Sequence, residues 1–153
     1  MPTRPYYVDV PLRWSDMDAL RHVNNVQFLR LLEEARVHGL REWFESTAAD
    51  RHRPPMLIAR AEIDYVRQLH YREEPIVIAM WVPAISGASF DLAYEVLSSR
   101  EPDAELYAVA ETTQVAFDME TQRPKRLSDA DREVLERYAG ESPHLKRRPK
   151  DHL

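Results

Sequence analysis

Asp16-Met17-Asp18, followed by His22, Asn24 and Asn25, gathers two carboxylates, an imidazole and two carboxamides within ten residues. The cluster lies where an extended pattern gives way to a helical one. The first N–H groups of a helix lack intrahelical acceptors and carry partial positive charge, so a polarised carbonyl or an anion is held well there. A carboxylate beside such donors is equipped for ester or thioester hydrolysis, as a nucleophile or as the base for a water. A plainer reading makes both aspartates turn and capping residues at a helix entry. A third makes Asp16, Asp18 and His22 metal ligands. Their spacing fits no zinc pattern and further ligands are not evident, so no metal is expected. Ser15 has no Gly-x-Ser-x-Gly turn around it and does not read as a triad nucleophile.

These residues must be positioned by the elements on either side. Tyr6 to Trp14 alternates imperfectly and contains Pro11, which suits a first strand at a sheet edge or one bulged near the proline. From Asn25 to Glu45 the period becomes helical, with Asn24 placed as the N-cap. The apolar arc of this helix is too wide for one flat sheet, which implies burial on more than one side. Glu33 and Arg36 sit inside that arc, three residues apart, as a buried ion pair or as support for the site.

Thr47 to Pro55 reads as an exposed loop. Four extended segments follow, 56–69, 75–85, 88–98 and 105–118, alternating at period two. Their short connectors imply an antiparallel meander. Thr121 to Leu127 turns the chain, and Ser128 opens a last helix that stops at Gly140. Helices and strands segregate as in an α+β domain covering residues 1–140. Residues 141–153, including Lys146-Arg147-Arg148-Pro149-Lys150, have no apolar periodicity and read as a flexible basic tail. One sheet curled around one helix leaves edges uncovered, which dimerisation would remedy.

Composition narrows the classes. The chain has 153 residues, 44% hydrophobic and 31% charged, as in a soluble globular domain. No apolar run is long enough to span a membrane, and Met1 to Pro5 lacks a secretory core, which favours the cytoplasm. A net charge of −5 argues against nucleic acid as a partner. Without cysteine there is no disulfide and no thiolate nucleophile.

Arg13-Trp14-Ser15-Asp16-Met17-Asp18, with His22-Val23-Asn24-Asn25-Val26-Gln27-Phe28-Leu29-Arg30 and Glu33-Glu34-Ala35-Arg36, closely resembles the hydroxybenzoyl-coenzyme A thioesterase branch of the hotdog-fold acyl-CoA thioesterases. The resemblance covers residues 6 to 140 and includes Pro124-Lys125-Arg126-Leu127. It implies a five-stranded antiparallel sheet wrapped around a long central helix, plus a short C-terminal helix. It also implies a homodimer, or a homotetramer built from dimers, with active sites at the dimer interface. Asp18 then matches the catalytic aspartate, and the Asn25 N–H matches the donor to the thioester carbonyl. Asp16, His22 and Asn24 shape the pocket, and Glu33 and Arg36 support it.

The substrate implied is an acyl-CoA, with coenzyme A as part of the substrate and no separate cofactor. Two departures stand out. Arg21 replaces a glycine common in relatives, and Ala88 replaces a basic residue near Ser86, Gly87, Ser89 and Phe90, a stretch expected to meet the substrate. Phosphate contacts would then come from Arg67, Arg60, Arg72 or the tail. Two other activities stay open. One is an acyl-CoA-binding protein without turnover. The other is an acyl-thioester hydratase or dehydratase, for which only His22 is at hand as a proton-transfer partner.

Overall fold

The computed structural model describes residues 5–45 and 55–148. The expected loop 47–55, save Pro55, and residues 149–153 of the expected tail lie outside the described residues. The first strand is shorter than its apolar pattern: β1 spans Tyr6–Val10 and pairs only with β3 (Ile76–Ile85), so it is a sheet edge. Pro11 cannot donate to a ladder and ends it there. The remaining elements are α1 (Asn25–Glu45), β2 (Met56–Tyr65), β4 (Ser89–Leu97), β5 (Leu106–Asp118), β6 (Arg123–Pro124) and α2 (Asp129–Glu136). The Ser128 hydroxyl and the Asp131 carboxylate cap α2 reciprocally.

All ladders are antiparallel, in the order β1-β3-β4-β5-β2, with β6 attached to β5. With α1 on its inner face, this is the hotdog arrangement the motif implies. The expected meander holds only for β3, β4 and β5. β2 pairs with β5 at the far edge rather than with β3. It ends at Tyr65 because the next two N–H groups, of Val66 and Arg67, both turn to the Tyr107 carbonyl. The chain then crosses through residues 66–75 to reach β3. On the way it buries Leu69, whose carbonyl accepts the Val23 N–H at 2.7 Å.

Phe28, Leu31, Leu32, Ala35, Trp43 and Phe44 of α1 pack on Ile78, Met80, Leu92, Tyr94 and Val96 of the sheet. Gly39 allows this approach, since a Cβ there would run into the Met80 side chain and crowd Tyr6. The Glu33–Arg36 pair does not form. Glu33 is exposed, while Arg36 donates to the buried Tyr94 hydroxyl at 3.4 Å. The reason is that the wide apolar arc of α1 is only partly covered. Val26 is 70% exposed and Leu29 45%, and Val37 lies on the same open side. Ile58, Tyr65 and Val66, in β2 and just after it, are exposed as well.

Residues 141–148 are seated on the outer sheet face, where composition suggests a flexible tail. The Trp81 indole donates to the Glu141 carbonyl at 2.7 Å, Leu145 is buried, and the Lys146 N–H donates to Asp64 at 2.7 Å. Arg148 then pairs with Glu62 and Glu111. Charge complementarity does what apolar periodicity does elsewhere: Glu111 is 2% exposed and clasped by Arg60 and Arg148. Among the described residues, no helix is long and apolar enough to cross a membrane.

Candidate active site

The loop between β1 and α1 is built around Asp16, at the end of a single 3-10 turn, Trp14–Asp16. Its carboxylate is fully buried. It accepts the Arg13 N–H at 2.8 Å and the Arg13 guanidinium at 3.0 Å. From one turn inside α1, Arg30 donates to it at 2.6 Å. Burial alone would raise the Asp16 pKa, but the hydrogen bonds from Arg13 and the charge of Arg30 outweigh it and hold the group below the usual carboxylate range. The Asp16 carbonyl also accepts the Asn24 N–H at 2.9 Å. Asp16 therefore ties the loop to the helix and is not free for chemistry.

Asp18 is held differently. Its Oδ1 accepts the N–H groups of Leu20 and His22 at 2.9 and 3.2 Å, and its backbone N–H donates to the His22 carbonyl at 2.8 Å. Among the described residues nothing engages Oδ2, so the carboxylate is oriented by one oxygen and available through the other. The tight turn requires a positive φ at Arg21, 62°. Glycine adopts that conformation without strain, whereas Arg21 holds it with a side chain attached.

Asn24 caps α1 through the Val26 N–H at 3.1 Å. Asn25, at the first helical position, keeps a backbone N–H without an intrahelical acceptor. The Tyr65 hydroxyl donates to the Asn25 carbonyl at 3.1 Å, fixing the helix start against β2. Asp18, Asn24, Asn25 and His22 line one cavity of about 360 Å³, walled by Val23, Phe28 and residues 65–69. A second cavity of about 630 Å³ lies on the other side of Asp18, bounded by Trp14, Met17, Arg21, His70 and Tyr71. His22 and His70 form an isolated β-bridge, with ring centroids 4.8 Å apart. Among the described residues no group of three or more His, Asp or Glu is placed to hold a metal ion.

Asp18, His22, Asn24, Asn25 and Arg67 thus line the first cavity, and Asp18 and Arg21 the second. Arg67 is paired with Glu105 at 2.9 Å. Ser86, Gly87, Ser89 and Phe90 line neither cavity. Ser86 and Gly87 lie in the β3–β4 turn and Ser89 and Phe90 open β4; Gly87 accepts the Leu127 N–H at 2.9 Å, Ser86 accepts from Arg132, and Phe90 is buried in the core. Glu33 and Arg36 line neither cavity either. Arg60 is engaged by Glu111, and Arg72 by the carbonyls of Glu74, Pro75 and Ser98. Arg30 belongs to the motif but carried no assigned role, and Tyr65, Leu69, His70 and Tyr71 were missed. Their signal was slight, since they lie in a segment that reads as a strand end and a hairpin connector.

The model of the thioesterase-like superfamily matches residues 12–137. The long-chain acyl-CoA thioesterase FadM of Escherichia coli K12 is 28% identical over 127 residues, which is 83% of this chain and 94% of FadM. A predicted thioesterase from Bacillus stearothermophilus superposes with a TM-score of 0.76 at 22% identity, covering 92% of this chain and all of that one. A thioesterase from Thermus thermophilus, solved with coenzyme A and zinc, superposes at 0.69 and 24% identity, covering 86% of this chain and 92% of its own. These matches do not single out the hydroxybenzoyl-CoA branch. They span everything from the loop that carries Asp16 and Asp18 to the end of α2, and the chain belongs to the thioesterase-like superfamily.

Proposed function

We propose that this protein hydrolyses an acyl-CoA thioester to a carboxylic acid and free coenzyme A. The observation that carries the reading is that Asp18, with Oδ2 unengaged, lines the same cavity as Asn25 at the start of α1. The likeness to FadM, a long-chain acyl-CoA thioesterase, supports the choice of substrate class. The thioester oxygen is received by the Asn25 N–H, where the helix start stabilises developing negative charge. Asp18 either attacks the carbonyl carbon, expelling the thiolate and leaving an anhydride that water cleaves, or takes a proton from the water that attacks. Asn24 and Tyr65 hold the helix start in place, and Asp16 holds the loop.

A second copy of the chain would cover the exposed apolar side of α1 and the β2 edge, making a homodimer, or a homotetramer of two such pairs, with the site at its interface. The reading needs no cofactor beyond the coenzyme A of the substrate, and it is of a cytoplasmic protein. The test is a thiol-release assay across short, long, branched and aromatic acyl-CoAs. Asp18→Asn should reduce turnover by roughly a hundredfold or more while leaving the fold intact. Equal rates for the variant and the unaltered protein would remove Asp18 from the mechanism. Saturable binding of an acyl-CoA analogue, with no thiol released from any substrate, would leave a binding protein.

A further inference from the structure

A thioester placed at Asp18 has two arms, and Asp18 borders two cavities. Resting on the hydrolase reading, we propose that the cavity of Trp14, Met17, Arg21, His70 and Tyr71 receives the thiol-side arm, a phosphopantetheine, with Arg21 meeting its phosphate. The acyl group then occupies the cavity at the helix start.

Charge distinguishes the two sides. The acyl side contains one cation, Arg67, and Glu105 already neutralises it at 2.9 Å. The remaining arginines near Asp18 are also occupied: Arg13 and Arg30 by Asp16, and Arg72 by three backbone carbonyls. Among the described residues nothing pairs with the Arg21 guanidinium, which is exposed at the rim of the second cavity. An unpaired arginine fits a phosphate, because its planar fork makes charge-assisted hydrogen bonds to the oxygens.

Shape agrees. Trp14 is 74% exposed and stands edge-on to Tyr71 with ring centroids 5.7 Å apart. Two crossed aromatic rings with Met17 beside them make a wall suited to the methylene and gem-dimethyl groups of a pantetheine arm. The backbone adds a further sign. Arg21 holds a φ of 62°, a left-handed conformation that glycine adopts without strain. Keeping a side chain there has a conformational cost that a phosphate contact would offset.

A phosphopantetheine arm occurs in free coenzyme A and on carrier proteins, and the test separates them. Calorimetric titrations would measure coenzyme A, 4′-phosphopantetheine, pantetheine and a holo-acyl carrier protein against the unaltered protein, Arg21→Gly and Trp14→Ala. Arg21→Gly suits the backbone and keeps the fold. It should weaken coenzyme A and phosphopantetheine by roughly tenfold while pantetheine binds as before. Trp14→Ala should weaken all the small ligands. Coenzyme A bound as tightly by Arg21→Gly as by the unaltered protein would overturn the proposal. So would an equal loss for pantetheine. A carrier protein that binds as well as coenzyme A, and loses the same factor in Arg21→Gly, identifies the protein-borne arm as a ligand of the same site. Because binding is read without turnover, a protein that binds coenzyme A through Arg21 but releases no thiol would sink the hydrolase reading alone.

Discussion

The Asp16 carboxylate and the Arg30 guanidinium meet at 2.6 Å across fourteen residues, and the acid is wholly buried. This contact joins the loop that carries Asp18 to the helix that carries the Asn25 N–H. Asp16 and Asp18, two residues apart in one motif, therefore do separate work: one builds the site and the other faces it.

Replacing Asp16 by Ala leaves Arg30 without its buried partner and frees the Arg13 N–H. The expected cost is about 2–3 kcal/mol, below the full range for a buried pair because Arg30 is partly exposed. Denaturant unfolding measures it, and activity should fall with it. Asp16→Ala that unfolds like the unaltered protein would show that the loop is fixed by other contacts.

Acid should destabilise the fold through two carboxylates. Asp16 and Glu111 are both held below the usual carboxylate range. For Glu111 too, burial alone would raise the pKa, and the contacts from Arg148 and Arg60 reverse it. A depressed folded pKa adds stability above the unfolded value, near 4, and that stability is lost as pH falls through the folded value. Glu95, raised by burial, works the other way: the stability it favours is present below its unfolded value and lost as pH rises through its folded one. Unfolding midpoints measured from pH 6 to pH 2 should fall most steeply below about pH 4. In Glu111→Gln the slope should be shallower.

Ending the chain after Gly140 removes Leu145 and Arg148 and uncovers Trp81. Trp14 is already exposed and Trp43 is buried elsewhere in the core, so a red shift on truncation reports Trp81. The stability loss should be about 2 kcal/mol or more, from lost apolar burial and an uncompensated Glu111. Arg148→Ala alone should give part of that loss without the red shift.

A charge on the β2 edge tests the assembly. Ile58 is 45% exposed on the sheet face that carries α1. Ile58→Lys should leave the monomer folded, halve the mass seen by light scattering if the chain pairs there, and reduce thioester hydrolysis.

Much of this was legible in the sequence. The period of α1, its Asn24 cap and the alternation of β3, β4 and β5 are local signals, and the structure follows them to within a residue or two. The motif places Asp18 beside the helix start. What could not be read depends on partners far along the chain. Nothing in the composition of Met56 to Leu69 shows that β2 leaves β3 and pairs with β5. A basic segment such as Lys146-Arg147-Arg148 looks solvated until the acids it covers are known. The wide apolar arc of α1 implied burial on more than one side, yet Val26 and Leu29 remain open, because periodicity shows which residues seek cover and not what provides it.

The crossing segment after β2 joins the open edge to the loop that carries Asp18 mechanically. Tyr65, the last residue of the edge strand, is bonded to the Asn25 carbonyl, and Leu69 and His70, four and five residues on, are stitched to Val23 and His22. A displacement of the edge is therefore transmitted to the ground on which Asp18 stands. On the hydrolase reading, a partner seated on β2 would therefore set the spacing of the groups proposed to act on the thioester.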